Sequence, residues 1–99
     1  MDRTVTIPKE RIATFCRRHH IRRLALFGSV LRDDFGPESD VDVLVEFRAG
    51  HAPGFAFFAM EAELSRILGR KVDLSTPNFL SRYIRDKVLA EALVQYDEG

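Results

Sequence analysis

GSVLRDDFGPESDVD, residues 28–42, is the stretch around which the rest of the chain is ordered. It follows the apolar run Leu24-Ala25-Leu26-Phe27 and leads into a second, Val43-Leu44-Val45. Gly28-Ser29 reads as a tight turn at the end of the first run, because glycine lets the backbone approach a ligand closely. After Ser29 and ten intervening residues stand Asp40 and Asp42, separated by one residue, at the head of the second run. Side chains two apart on a strand share a face, so these carboxylates are expected to project together. Two unit charges about 4 Å apart repel by about 4 kcal/mol at an effective dielectric near 20. A divalent cation offsets that directly, and hard oxygen ligands suit Mg²⁺ or Mn²⁺.

The other half of the pattern is phosphate chemistry. Ser29 offers a hydroxyl, and the helical turn expected after it offers free N–H groups to an anion. A third acid, Asp73, lies in an apolar setting between Val72 and Leu74. If that segment is a strand beside the one carrying Asp42, three acids converge, enough for two metal ions. Taken singly, Gly-Ser is a common turn and Asp-x-Asp a common solvated strand edge. Their fixed spacing, each against an apolar strand, is what points to a nucleotide site.

Around this stretch the chain reads as alternating elements. Pro8 suits the first turn of a helix, and Ile12, Phe15 and Cys16 at helical spacing extend it over 8–19. Residues 1–7 read as an extended arm. A strand over 21–27 is followed by a short helix at 30–32 opening at Ser29, and then by a loop at 35–39 marked by Gly36-Pro37. The second strand covers 41–47; apolar residues at both parities from Val43 to Val45 predict burial on both faces. A turn-rich connector, RAGHAPG over 48–54, precedes a helix over 55–68 with a stripe of Phe57, Met60, Leu64 and Ile67. Gly69 suits its C-terminal cap. A third strand spans 71–75. Thr76-Pro77 then opens a final helical region, in one piece or two, running to about Ala92, with 93–96 either ending it or forming a short edge strand. This order predicts an α/β (α+β) fold, a small mixed sheet flanked by helices with some parallel pairing, in one domain over 1–99.

Bulk properties narrow the function. The 99 residues are 45% hydrophobic and 30% charged, and 15 basic residues balance 15 acidic ones. Neutrality argues against direct nucleic-acid binding, which brings a basic excess. No apolar run spans a membrane, the start lacks a secretory pattern, and the lone Cys16 excludes an internal disulfide. A cytoplasmic protein is expected.

The residues from Gly28 to Val45 resemble the Gly-Ser-x10-Asp-x-Asp signature of the DNA polymerase β-like nucleotidyltransferases. Lys71-Val72-Asp73-Leu74 is similar to the strand bearing that family's third acid. The short chain resembles the minimal nucleotidyltransferases (MNT), the antitoxin class paired with HEPN-type ribonuclease toxins in type VII toxin–antitoxin systems. The resemblance implies Asp40, Asp42 and Asp73 as catalytic and metal-holding residues for two Mg²⁺ ions, with Mn²⁺ as substitute. It implies Gly28, Ser29, Arg32 and Ser39 as nucleotide-binding residues and ATP as substrate. It further implies transfer of AMP to a tyrosine of the cognate HEPN toxin, which silences it, and either a hetero-oligomer with that toxin or a homo-oligomer. Asp33 and Asp34 depart from the pattern by adding negative charge near a phosphate site. Two alternatives stand: an antitoxin that neutralises by binding alone, or a transferase for a small molecule such as an aminoglycoside, which the short chain hardly encloses.

Other features carry weaker signals. The arginines at 17, 18, 22 and 23 suit either a solvated face or an acidic partner. Cys16 and His20 share a helix-turn spacing that suits a metal, though a buried thiol and a helix-end histidine fit as well. His51 sits in the connector within possible reach of the site. Phe55, Phe57 and Phe58 cannot all face one way on a helix, so one is expected at a protein contact.

Overall fold

The computed structural model describes residues 7–32, 36, 38–51 and 53–98. The arm expected over 1–7 lies, apart from Ile7, outside the described residues, as do Asp33 and Asp34. Helix α1, Lys9–Arg18, is followed by strand β1, Ile21–Phe27, and a 3-10 turn, Gly28–Leu31. Strand β2, Val41–Phe47, leads to helix α2, Ala56–Leu68, and strand β3, Val72–Ser75. A second 3-10 turn, Pro77–Phe79, precedes helix α3, Arg82–Glu91, and strand β4, Leu93–Asp97.

The four strands form one mixed sheet in the order β3-β2-β1-β4. β1 pairs antiparallel with both β2 and β4, and β2 pairs parallel with β3, with α2 as the crossover. One face carries Leu24 and Leu26, Val41, Val43 and Val45, and Val72 and Leu74, packed with Ile12, Phe15 and Cys16 of α1 and with Met60, Leu64 and Leu68 of α2. Leu44 and Ala25, opposite each other on β2 and β1, are also buried although they lie outside that cluster. Burial at both parities of β2 follows the apolar pattern of 43–45.

Two local expectations change. The innermost residue at the C-terminal end of α2 is Leu68 rather than Ile67, which packs only partly against the core. Thr76-Pro77 opens the first of two helical pieces, the 3-10 turn with proline in its first turn, although the Thr76 side chain makes no capping bond; Ser81 caps the second piece, α3, accepting from the Tyr83 N–H at 3.1 Å. Of the two readings of 93–96 the edge strand holds: Leu93–Asp97 is a strand, which gives the outer backbone groups of β1 partners that no helix supplies. Gly69 caps α2 in the left-handed conformation as expected.

The outer edge of β3 is covered by side chains of α2. Ser65 Oγ accepts from the Val72 N–H at 3.0 Å, and Glu61 Oε2 accepts from the Leu74 N–H at 2.8 Å. Both backbone donors flanking Asp73 are thereby held. Among the described residues no helix is long and apolar enough to cross a membrane.

Candidate active site

The site is assembled where β1 ends and β2 and β3 begin. The antiparallel register sets Phe27 opposite Asp42, so Gly28 follows directly beside that carboxylate. Gly28 has φ of +75°, and a Cβ built on it would lie 2.2 Å from Asp42 Oδ2. A side chain there would displace the Asp42 carboxylate, which gives the glycine a steric reason as well as a conformational one. The Ser29 backbone N–H donates to the Asp42 carboxylate, fixing the turn against the acid.

On the other side of β2 the parallel register sets Asp42 beside Asp73. Adjacent residues in register share a face, so both carboxylates stand on the side of the sheet opposite Val41, Val43, Val72 and Leu74. The Asp42 carboxyl is raised above its ordinary range. Burial is the main cause, followed by the charge of Asp73; the Ser29 hydrogen bond opposes it, Asp40 adds to it and Arg32 opposes it. Negative charge is therefore concentrated at a partly desolvated point.

Asp40 departs from its expected placement. β2 begins at Val41, so Asp40 belongs to the preceding loop and leans toward Lys71, with Nζ 4.0 Å from Oδ2. Ser39 faces its own loop: Oγ accepts from the Gly36 N–H at 3.1 Å. Arg32 is exposed beyond the 3-10 turn and acts on Asp42 through its charge. One residue escaped the sequence reading altogether. Arg70 donates to the Gly36 carbonyl at 2.7 Å and to the Ser39 carbonyl at 2.9 Å, joining the loop before Asp40 to the start of β3. An arginine whose partners are carbonyls leaves no sequence signal.

The donor set fits a hard divalent cation: carboxylate oxygens only, with a charge excess that a cation would relieve. Among the described residues no three acidic, histidine or cysteine side chains yet converge tightly enough to hold one. The register pair Asp42 and Asp73 is the nucleus of such a site, with Asp40 two residues before Asp42 and close enough for its charge to act on it.

The remaining candidates separate from it. Cys16 is buried and its thiol pushed up to about 12, mainly by burial, which removes it as a thiolate ligand. His20 stacks on His51 instead, with ring centroids 4.1 Å apart. The arginine cluster divides: Arg18 pairs with Glu63, while Arg22 and Arg23 each reach Glu46 at 3.4 Å.

Residues 9–94 match the profile of the family described as Nucleotidyltransferase domain. The chain belongs to this family. Within the nucleotidyltransferases, a candidate protein adenylyltransferase of Methanocaldococcus jannaschii, MJ0435, is 33% identical over 85 residues, covering 86% of this chain and 90% of that protein. Protein adenylyltransferase MntA of Thermococcus cleftensis is 35% identical over 77 residues, covering 77% of this chain and 76% of the other. A solved candidate minimal nucleotidyltransferase is 33% identical with a TM-score of 0.72, covering 86% of each chain. A toxin–antitoxin complex solved with AMP-PNP shares the fold at 20% identity and a TM-score of 0.73, covering 92% of this chain and 74% of its own.

Proposed function

We propose that this nucleotidyltransferase moves AMP from ATP to a tyrosine of a partner protein, and acts as the antitoxin to a HEPN-type toxin. The observation that carries the reading is the register pair Asp42 and Asp73 beside a glycine whose added Cβ would displace the Asp42 carboxylate. That arrangement is built for charge at phosphorus, not for packing. The relatives named protein adenylyltransferases support the acceptor class.

In this reading the triphosphate lies along the Gly28-Ser29 turn, where the backbone approaches closely, and Arg32 adds positive charge. Asp42 and Asp73, joined by Asp40, would hold Mg²⁺, which when bound neutralises the triphosphate and lowers the pKa of an attacking hydroxyl. Asp73 accepts the phenolic proton of the tyrosine and passes it to water. The tyrosine oxygen forms a bond to the α-phosphorus as the bond from that phosphorus to the bridging oxygen breaks. Pyrophosphate leaves with the electron pair. The protein's part is positioning and electrostatics. Arg70 holds the loop before Asp40 to the strand of Asp73, so the acids move as one unit.

The test is to incubate the protein with ATP, Mg²⁺ and a HEPN-type toxin as partner, and to read the partner's intact mass. One or more AMP additions are expected, and none with Asp73→Asn. No addition with either Mg²⁺ or Mn²⁺ refutes the reading. Neutralisation that survives loss of all three acids, at equal expression, would instead make it an antitoxin by binding alone.

A further inference from the structure

Beside Asp73 the molecule opens a cleft of about 1010 Å³ between the first half of α2, the C-terminal end of β2 and the 3-10 turn after β3. Its apolar lining joins the aromatic Phe47, Phe57, Phe58 and Phe79 to Val45 and Leu74. Phe57 packs edge-to-face with Phe58, ring centroids 6.4 Å apart, and with Phe79 at 5.6 Å. Phe57 leans on the core, yet Phe58 and Phe79 are each 70% exposed. Two large rings held at a cleft mouth by ring packing, with their outer faces in water, contribute little to the fold and match the anchors of recognition sites.

We propose that this cleft receives the acceptor: a polypeptide segment carrying the tyrosine that the Asp73 side of the site modifies. The inference rests on the adenylyltransferase reading. Strand order gives the direction. Gly28-Ser29 ends β1, Asp42 lies on β2 and Asp73 on β3, so the phosphate turn and Asp73 stand on opposite flanks of Asp42. A nucleotide whose phosphates meet Gly28 leaves the Asp73 flank for the attacking hydroxyl, and the cleft begins on that flank.

Charge points the same way. Asp73 and Glu61 stand on its walls, and the cation there, Arg48, is bound bidentate by Glu98 at 2.7 to 3.2 Å. Such walls repel a polyphosphate and favour a neutral or basic polypeptide. An aromatic floor in a cleft whose lining includes Asp73 suits a phenol, the tyrosine ring packing on Phe58 and Phe79.

The experiment compares the wild-type chain with Phe58→Ala and Phe79→Ala, both at exposed positions, in initial-rate AMP transfer to the partner protein. The acceptor KM is expected to rise about tenfold or more in each, as for an aromatic anchor, with kcat and the KM for ATP within about twofold. An unchanged acceptor KM overturns the proposal. A rise confined to the ATP KM also overturns it, and assigns the cleft to the nucleoside. If the wild-type chain transfers no AMP, the adenylyltransferase reading has failed. The cleft is then judged by NMR with N-acetyl-L-tyrosinamide as probe. Amide shifts around residues 57, 58 and 79 that vanish in Phe79→Ala support a phenol-binding cleft; no shifts overturn it.

Discussion

Replacing Gly28 by alanine tests the heart of the site with one methyl group. The new Cβ would lie 2.2 Å from Asp42 Oδ2, whereas close carbon–oxygen contacts settle near 3.3 Å. The difference, about 1 Å, must be taken up by the carboxylate, because the turn is tied to it through the Ser29 N–H. A misplacement of about 1 Å at reacting groups lowers rates about 100-fold, and that is the loss expected in AMP transfer. The positive φ of +75° adds a backbone cost of about 1–2 kcal/mol. For a domain of this size that lowers the melting temperature by about 5–15 °C. Gly69→Ala supplies the control. Its φ is +68° but nothing lies within 4 Å of the added Cβ, so it should melt lower by a comparable amount while transferring AMP at the wild-type rate. Melts followed by circular dichroism and transfer read by intact mass give both quantities. If Gly28→Ala transfers AMP within about threefold of Gly69→Ala, the close approach does not position Asp42 and the reasoning fails.

Two further outcomes follow from burial. The Asp42 carboxyl is raised by desolvation and by Asp73, so folding penalises its ionised form, and that penalty grows as pH rises through the carboxylate range. Asp42→Asn should therefore abolish transfer yet melt higher than wild type at pH 7, with the gap closing at pH 4; a lower melting temperature at pH 7 contradicts it. Cys16 is fully buried with its thiol pushed up to about 12, so a thiol reagent should modify it only through unfolding, at a rate that rises with denaturant. Rapid labelling of the native protein would contradict that.

The sequence carries the parts of this fold that depend on neighbours in the chain. The apolar run at 43–45 announces a strand buried on both faces, and Gly69 announces the end of α2. Gly28, Asp42 and Asp73 stand out because chemistry needs those residue types at strand ends. What stays hidden depends on partners distant in sequence. Arg70 binds carbonyls 31 and 34 positions away, and any side chain can precede a carbonyl. β4 becomes a strand because β1 offers an open edge, not because 93–97 has a strong strand pattern of its own. Ser81 rather than Thr76 caps α3 because Leu80 is extended in between, which no spacing rule reveals. The cleft is invisible for the same reason: Phe58 and Phe79 meet through Phe57 only after β3 has been laid beside β2.

The central place of β1 bears on how the protein is made. Its pairing partners, β2 and β4, both lie later in the chain, and Leu26 waits for Val43 on one side and for Leu93 on the other. During synthesis Leu24, Ala25 and Leu26 emerge before either neighbour can cover them, a segment open to wrong pairing until the last strand arrives. The long-range closure also makes folding slower than a helical protein of this size would show. The candidate site also comes late, since Asp42 and Asp73 stand side by side only once β3 has docked. A half-made chain cannot gather the charge that the finished one concentrates.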